Sequence, residues 1–206
     1  MPHRILPPAL FLLLAVGCVL AASAARAGDL ADFSRAVVLT RPGELPAVEE
    51  TAAVVLVEEV EKRTGLRLER ATDWPGEDRP VIVVAAPEKG KVRGWARPLP
   101  VRKGKDLPER RTDGYRLLVE PGRGGAAPVA WALGADPRGA LYAVGALLRH
   151  ADCSEGGLAL PPALDLATAP ASPIRGHQLG FRSTANSWDA WDAAGFDRYI
   201  RELAFF

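Results

Sequence analysis

The fold turns on "GADPRGALYAVGALLRHA", residues 134–151. Asp136 stands directly ahead of Pro137. A carboxylate at that place accepts from the free amides of a first helical turn, and proline suits the next position because its missing N–H has no partner to lose. Leu141, Val144, Gly145 and Leu148 then recur on one face, which predicts a buried helical stripe. Gly139 and Gly145 lower helix propensity. Their missing side chains are expected to let the helix lie close on a sheet. Immediately before it, "PVAWALG" (128–134) reads as a strand.

Working outward, "RAVVLT" (35–40), "LRLER" (66–70) and "YRLLVEPG" (115–122) also read as strands. "RPVIVVAAP" (79–87) is a continuous apolar run between prolines, as in a strand covered on both faces. "TAAVVLVEEVEKRTG" carries a second helical stripe through Ala52, Val55, Leu56, Glu59 and Val60, with Gly65 as its stop. Residues 88–113 are polar and basic and read as loop. Strands interleaved with helices predict an α/β fold, an α+β sandwich with a mixed sheet and helices packed on one face. No internal repeat is visible.

Beyond this unit, "LPPALDLATAPASP" (160–173) is proline-rich and reads as a linker, 161–173. "IRGHQLGF" (174–181) reads as a fresh strand, followed by a polar loop and a helix from about Trp188. In that helix Phe196, Tyr199, Ile200 and Leu203 share one apolar face. Such a face requires a partner. Either the helix folds back on the domain before it, or the partner lies outside these 206 residues.

The first 27 residues have a basic start at His3 and Arg4, an apolar run from about Ile5 to Ala22, and the A-x-A site Ala25-Arg26-Ala27. This is the pattern of a secretory signal peptide (1–27). An uncleaved anchor is one alternative. A lipoprotein is another, since Ala15-Val16-Gly17-Cys18 weakly resembles a lipobox. Export to the periplasm or the extracellular space follows, with no membrane contact after cleavage. Removing the segment takes Arg4 and Arg26 from the 26 basic residues and nothing from the 25 acidic ones, a net charge of −1. No basic field remains to hold nucleic acid. Cys153 is then the sole cysteine, so no internal disulfide can form and the core must supply stability.

"DPRGALYAVGALL" resembles the D-x-R-G-x-L-Y-G-x-x-x-L-L helix of the domain that precedes the catalytic barrel in bacterial β-hexosaminidases (glycoside hydrolase family 20) and α-glucuronidases. "AAVVLVEEVEKRTGLRL" is similar to that domain's helix and K-x-T-G-x-x-L turn, and "DGYRLLVEPG" to its E-x-Y-x-L strand. The resemblance covers about residues 35–206. It implies an accessory α/β domain over 28–160 and, over 174–206, the first strand and helix of a truncated (β/α)8 barrel. It further implies an exported glycoside hydrolase in carbohydrate metabolism, with oligosaccharide or polysaccharide as the partner through the missing barrel.

Glycoside hydrolysis by the usual route uses two carboxyl groups. In the family that this chain resembles, the Asp-Glu pair lies on a later barrel strand, so no catalytic residue is expected here and the chain alone is expected to be inactive. Asp189 and Asp192 more simply serve a helix N-terminus. The resemblance suggests sugar contact by Arg182, although Gly180-Phe181 replaces the family's D-x-S pattern before it. A loop arginine in an ion pair is the alternative. His177 and Trp188 are further substrate-binding candidates, with ordinary packing as their alternative, and Trp191 likewise. No HExxH, CxxC, P-loop, GxGxxG or GxSxG is present, and "GRGG" (122–125) has no helix behind it; no metal or cofactor is expected. A reading of another class is a non-catalytic exported glycan-binding or scaffold module that uses exposed Trp74, Trp95 and Trp131.

Overall fold

A computed structural model describes residues 30–87, 95, 99–100, 112–122, 124–172, 174–177 and 191–205. The elements run β1 (Ala31–Asp32), β2 (Val37–Thr40), α1 (Ala47–Thr64), β3 (Glu69–Ala71), β4 (Val81–Ala85), β5 (Tyr115–Glu120) and β6 (Val129–Gly134). They continue through α2 (Pro137–His150), β7 (Asp152–Ser154), β8 (Gly157–Leu160), β9 (Asp165–Thr168) and α3 (Ala193–Phe205). The fold is α/β.

Six strands form one sheet in the order β3-β2-β4-β6-β5-β9. β3, β2, β4 and β6 are parallel, and β5 runs antiparallel to both β6 and β9. A small antiparallel sheet, β1-β8-β7, adds Leu158 and Leu160 to the main core. The apolar strand sequences follow from burial on both faces. Val38, Ile82, Val84, Ala130 and Ala132 point to the helices, while Leu39, Val81, Val83, Val129, Trp131 and Leu133 point to the other side. Each fully buried Val or Leu contributes about 1.5–3 kcal/mol by transfer from water.

Both long helices end as the sequence predicts. Gly65 takes a left-handed φ of 75° and donates its N–H to Glu61 O at 2.8 Å. Asp136 caps α2 by accepting from Gly139 N at 2.8 Å, with Pro137 at the first turn. The two glycines of α2 part company. A Cβ on Gly139 would lie 3.1 Å from Gly134 Cα and closer still to Gly114 O, which fits the expected approach to the sheet. Gly145 instead faces α3: a Cβ there would lie 3.0 Å from Phe205 Cα and collide with its carbonyl oxygen. Its gap admits another helix's backbone, not the sheet.

Two expectations are corrected. Residues 165–168, read as linker, form the edge strand β9, where Arg116 binds Asp165 through two bonds of 3.0 and 2.9 Å. Proline-rich flanks hid a strand that a long-range ion pair holds. Residues 174–177, read as the start of a strand, belong to no strand, and 178–181 lie outside the described residues. The 1–27 segment also lies outside them.

Candidate functional site

The second face of the sheet holds the three tryptophans. Trp131 is 1% exposed, and its indole N–H donates to Glu120 Oε2 at 2.8 Å. Trp74 packs on it with ring centroids 5.7 Å apart, and Trp95 meets Trp74 at 5.9 Å. Trp95 Nε1 donates to Thr72 O at 3.1 Å. The set is a packed layer that covers the sheet, with Trp74 and Trp95 half-buried. A sugar-stacking platform needs open ring faces. The expectation that Trp131 is an exposed aromatic is therefore wrong, because Trp74 and the residues packed with it cover that face of the sheet.

Arg182 and Trp188 lie outside the described residues, as does Asp189. His177 is exposed, and its Nδ1 meets the hydroxyl of Tyr199 on α3. Their rings are 5.7 Å apart. Trp191 packs on Phe196 at 5.6 Å and on Tyr199 at 5.3 Å. Asp192 serves the helix start, as expected for it: its Oδ1 accepts from Gly195 N at 2.8 Å. Trp191 thus takes the packing role.

The surface that stands out is α3 itself. Ala194, Asp197, Arg198, Arg201, Glu202 and Phe205 face α1 across a groove of about 610 Å³. Phe205 alone of them is buried. Phe196, Tyr199, Ile200 and Leu203 lie on the other side. At roughly 100° per residue the two sets are about 180° apart. The helix turns its charged face to the domain and its apolar face away. Ile200 is 62% exposed and Leu203 51%.

Two of the groove's carboxylates are already engaged. Glu58 is held by Arg201, and Glu59 by Arg63 at 3.2 Å and Lys62 at 3.5 Å. The Arg201 guanidinium is held above its ordinary value, first by its bond to Glu58. Cys153, half-buried, has its thiol pushed up by burial, so it is a poor nucleophile. Among the described residues no group of three or more His, Cys, Asp or Glu side chains is placed to hold a metal ion. Among the same residues no helix is long and apolar enough to cross a membrane. What the arrangement does present is an exposed apolar face on α3, formed by Ile200 and Leu203.

No family model matches the chain. No curated protein matches it either. Among solved structures it is similar to a Streptomyces plicatus β-hexosaminidase, seen as two mutants with GlcNAc product, at 16% and 15% identity and a TM-score of 0.40. Those matches cover 71% of this chain and 24% of the other. It is also similar to a family GH115 4-O-methyl-α-glucuronidase with specificity for decorated arabinogalactans, at 14% identity and a TM-score of 0.49, covering 85% of this chain and 24% of that one. The chain thus spans about a quarter of the length of each of these structures.

Proposed function

We propose that this chain is the amino-terminal portion of an exported glycoside hydrolase, in which the α/β domain braces a catalytic barrel and α3 is that barrel's first outer helix. The observation that carries the reading is the outward apolar face of α3, with Ile200 and Leu203 exposed while the charged side faces the domain. An outer barrel helix has this need: one face on the barrel strands, the rest on solvent or a neighbouring domain. The resemblance of the α2 motif, from Asp136 to Leu148, supports the choice of family. The catalytic carboxylates and the sugar site then belong to barrel strands beyond these residues, and Arg182, His177 and Trp188 remain the candidates for sugar contact in the assembled enzyme.

Two measurements test it. The purified 206-residue chain is expected to give no turnover of aryl N-acetylglucosaminides or aryl glucuronides. Hydrolysis at enzyme-like rates overturns the placement of the acids elsewhere. The coding sequence after codon 206 is expected to continue in frame through further β/α units. An immediate stop codon overturns the barrel.

A further inference from the structure

The core face of α2 is Ala140, Ala143, Val144, Leu147 and Leu148, all buried. A second set, Arg138, Tyr142, Gly145 and Arg149, recurs at i, i+4, i+7 and i+11, one stripe on the opposite side of the helix. Every member of that stripe meets Arg175, Phe205 or Asp113, the carboxylate that also takes Arg175. Arg138 Nε pairs with Asp113 Oδ1 at 2.7 Å, an ion pair without an aligned hydrogen bond. The other oxygen of Asp113 takes the Arg175 guanidinium. Arg175 in turn lies over the Tyr142 ring, 5.1 Å from its centroid. Gly145 receives the Phe205 backbone, and Arg149 donates to the Phe205 carbonyl.

Asp113 is built for this position. It is 4% exposed and has a left-handed φ of 67°, a strained conformation for a residue with a side chain. Its N–H donates to Asp136 Oδ2 at 2.8 Å, so the cap of α2 also holds the turn that aims this carboxylate. A buried carboxylate shared by two arginines from different parts of the chain fixes their relative position more tightly than surface pairs do.

We propose that the Arg138–Tyr142–Gly145–Arg149 stripe, with Asp113, is a docking seam whose occupants are this chain's own Arg175 and the end of α3 at Phe205. It sets the position of α3 on the α/β domain, and the domain folds without that helix. The inference is independent of any sugar chemistry, because it needs only the seam and its occupants.

The test is hydrogen exchange on the full 206-residue chain carrying Tyr142→Ala with Arg149→Ala, and separately Asp113→Asn. Asparagine tolerates the left-handed backbone and keeps the N–H bond to Asp136, but it removes the charge the two arginines share. In both variants the amides of 193–205 are expected to exchange about tenfold faster or more, while those of β4 and β6 keep their parental rates. Unchanged protection of 193–205 overturns the seam. Equal acceleration of β4 and β6 overturns it too, since these residues then serve the domain's folding.

Discussion

Replacing Glu49 by glutamine tests how the carboxyl ends of the parallel strands are tied to α1. Glu49 is fully buried in the first turn of that helix. Its two oxygens take Arg41 Nε and Nη2 at 2.8 Å each, and Oε1 also takes Ala86 N at 3.2 Å. One carboxylate thus joins the residues just past β2 and β4. Glu49→Gln keeps the shape, but it removes the anion and turns a donor toward the guanidinium. Breaking a buried pair costs about 3–5 kcal/mol. The Arg41 side chain is 21% exposed and keeps part of its hydration, which lowers the expected loss to about 2–3 kcal/mol. At about 2–4 °C per kcal/mol for a chain of this size, Tm falls by about 4–12 °C. Urea unfolding followed by tryptophan fluorescence reads it, because Trp131 is buried in the same sheet. The double variant Arg41→Met, Glu49→Leu should recover only part of the loss, since it removes the unpaired charge but leaves Ala86 N without its acceptor. A loss below about 0.5 kcal/mol for Glu49→Gln refutes the reasoning.

Two further outcomes are expected. Asp136→Ala removes both the Gly139 cap and the partner of Asp113 N, so it should cost about 2 kcal/mol, more than an ordinary cap; calorimetric melting measures it. Glu50 is held below the ordinary glutamate value by its bond from Arg70 at 2.7 Å. Its contribution to stability is therefore complete above the ordinary value and is lost as pH falls through the lowered one. In Arg70→Gln, an NMR titration should find Glu50 returned toward the ordinary value, and that part of the acid sensitivity gone.

The sequence made some elements plain and hid others for physical reasons. Strands β4 and β6 were legible because burial on two faces demands unbroken apolar runs, and α2 because Asp136 and Pro137 mark a helix start locally. β9 was not legible: an edge strand four residues long needs no apolar pattern, and its tie is the Arg116–Asp165 pair across 49 residues. The burial of Trp131 depends on which loops fold over the second face, a long-range matter that no spacing reveals. Asp113 gives no sign of its role until Arg138 and Arg175 converge on it. The seam on α2 was present in the spacing of Arg138, Tyr142, Gly145 and Arg149. It is not legible there, because arginines and a tyrosine at helical spacing look like a solvated face and Gly145 reads as part of the buried stripe.

The spacing of α3 likewise announced an amphipathic helix but not which way it faces, and the energetics of that choice bear on what it does. Burying Ile200 and Leu203 against the domain would gain about 1.5–3 kcal/mol each. The contacts that hold the charged side inward include Arg201 with Glu58, a partly exposed ion pair worth about 0–1 kcal/mol. Burial alone would therefore turn the helix over. It is held by shape: the Gly145 gap accepts only backbone, and Phe205, 3% exposed, seats beside it while Arg149 takes its carbonyl. Reversing the helix would withdraw that anchor and drive side chains into the gap. The domain thus fixes the end of α3 by a contact that leaves its apolar face outward, an orientation that stabilises the molecule once an apolar partner covers that face.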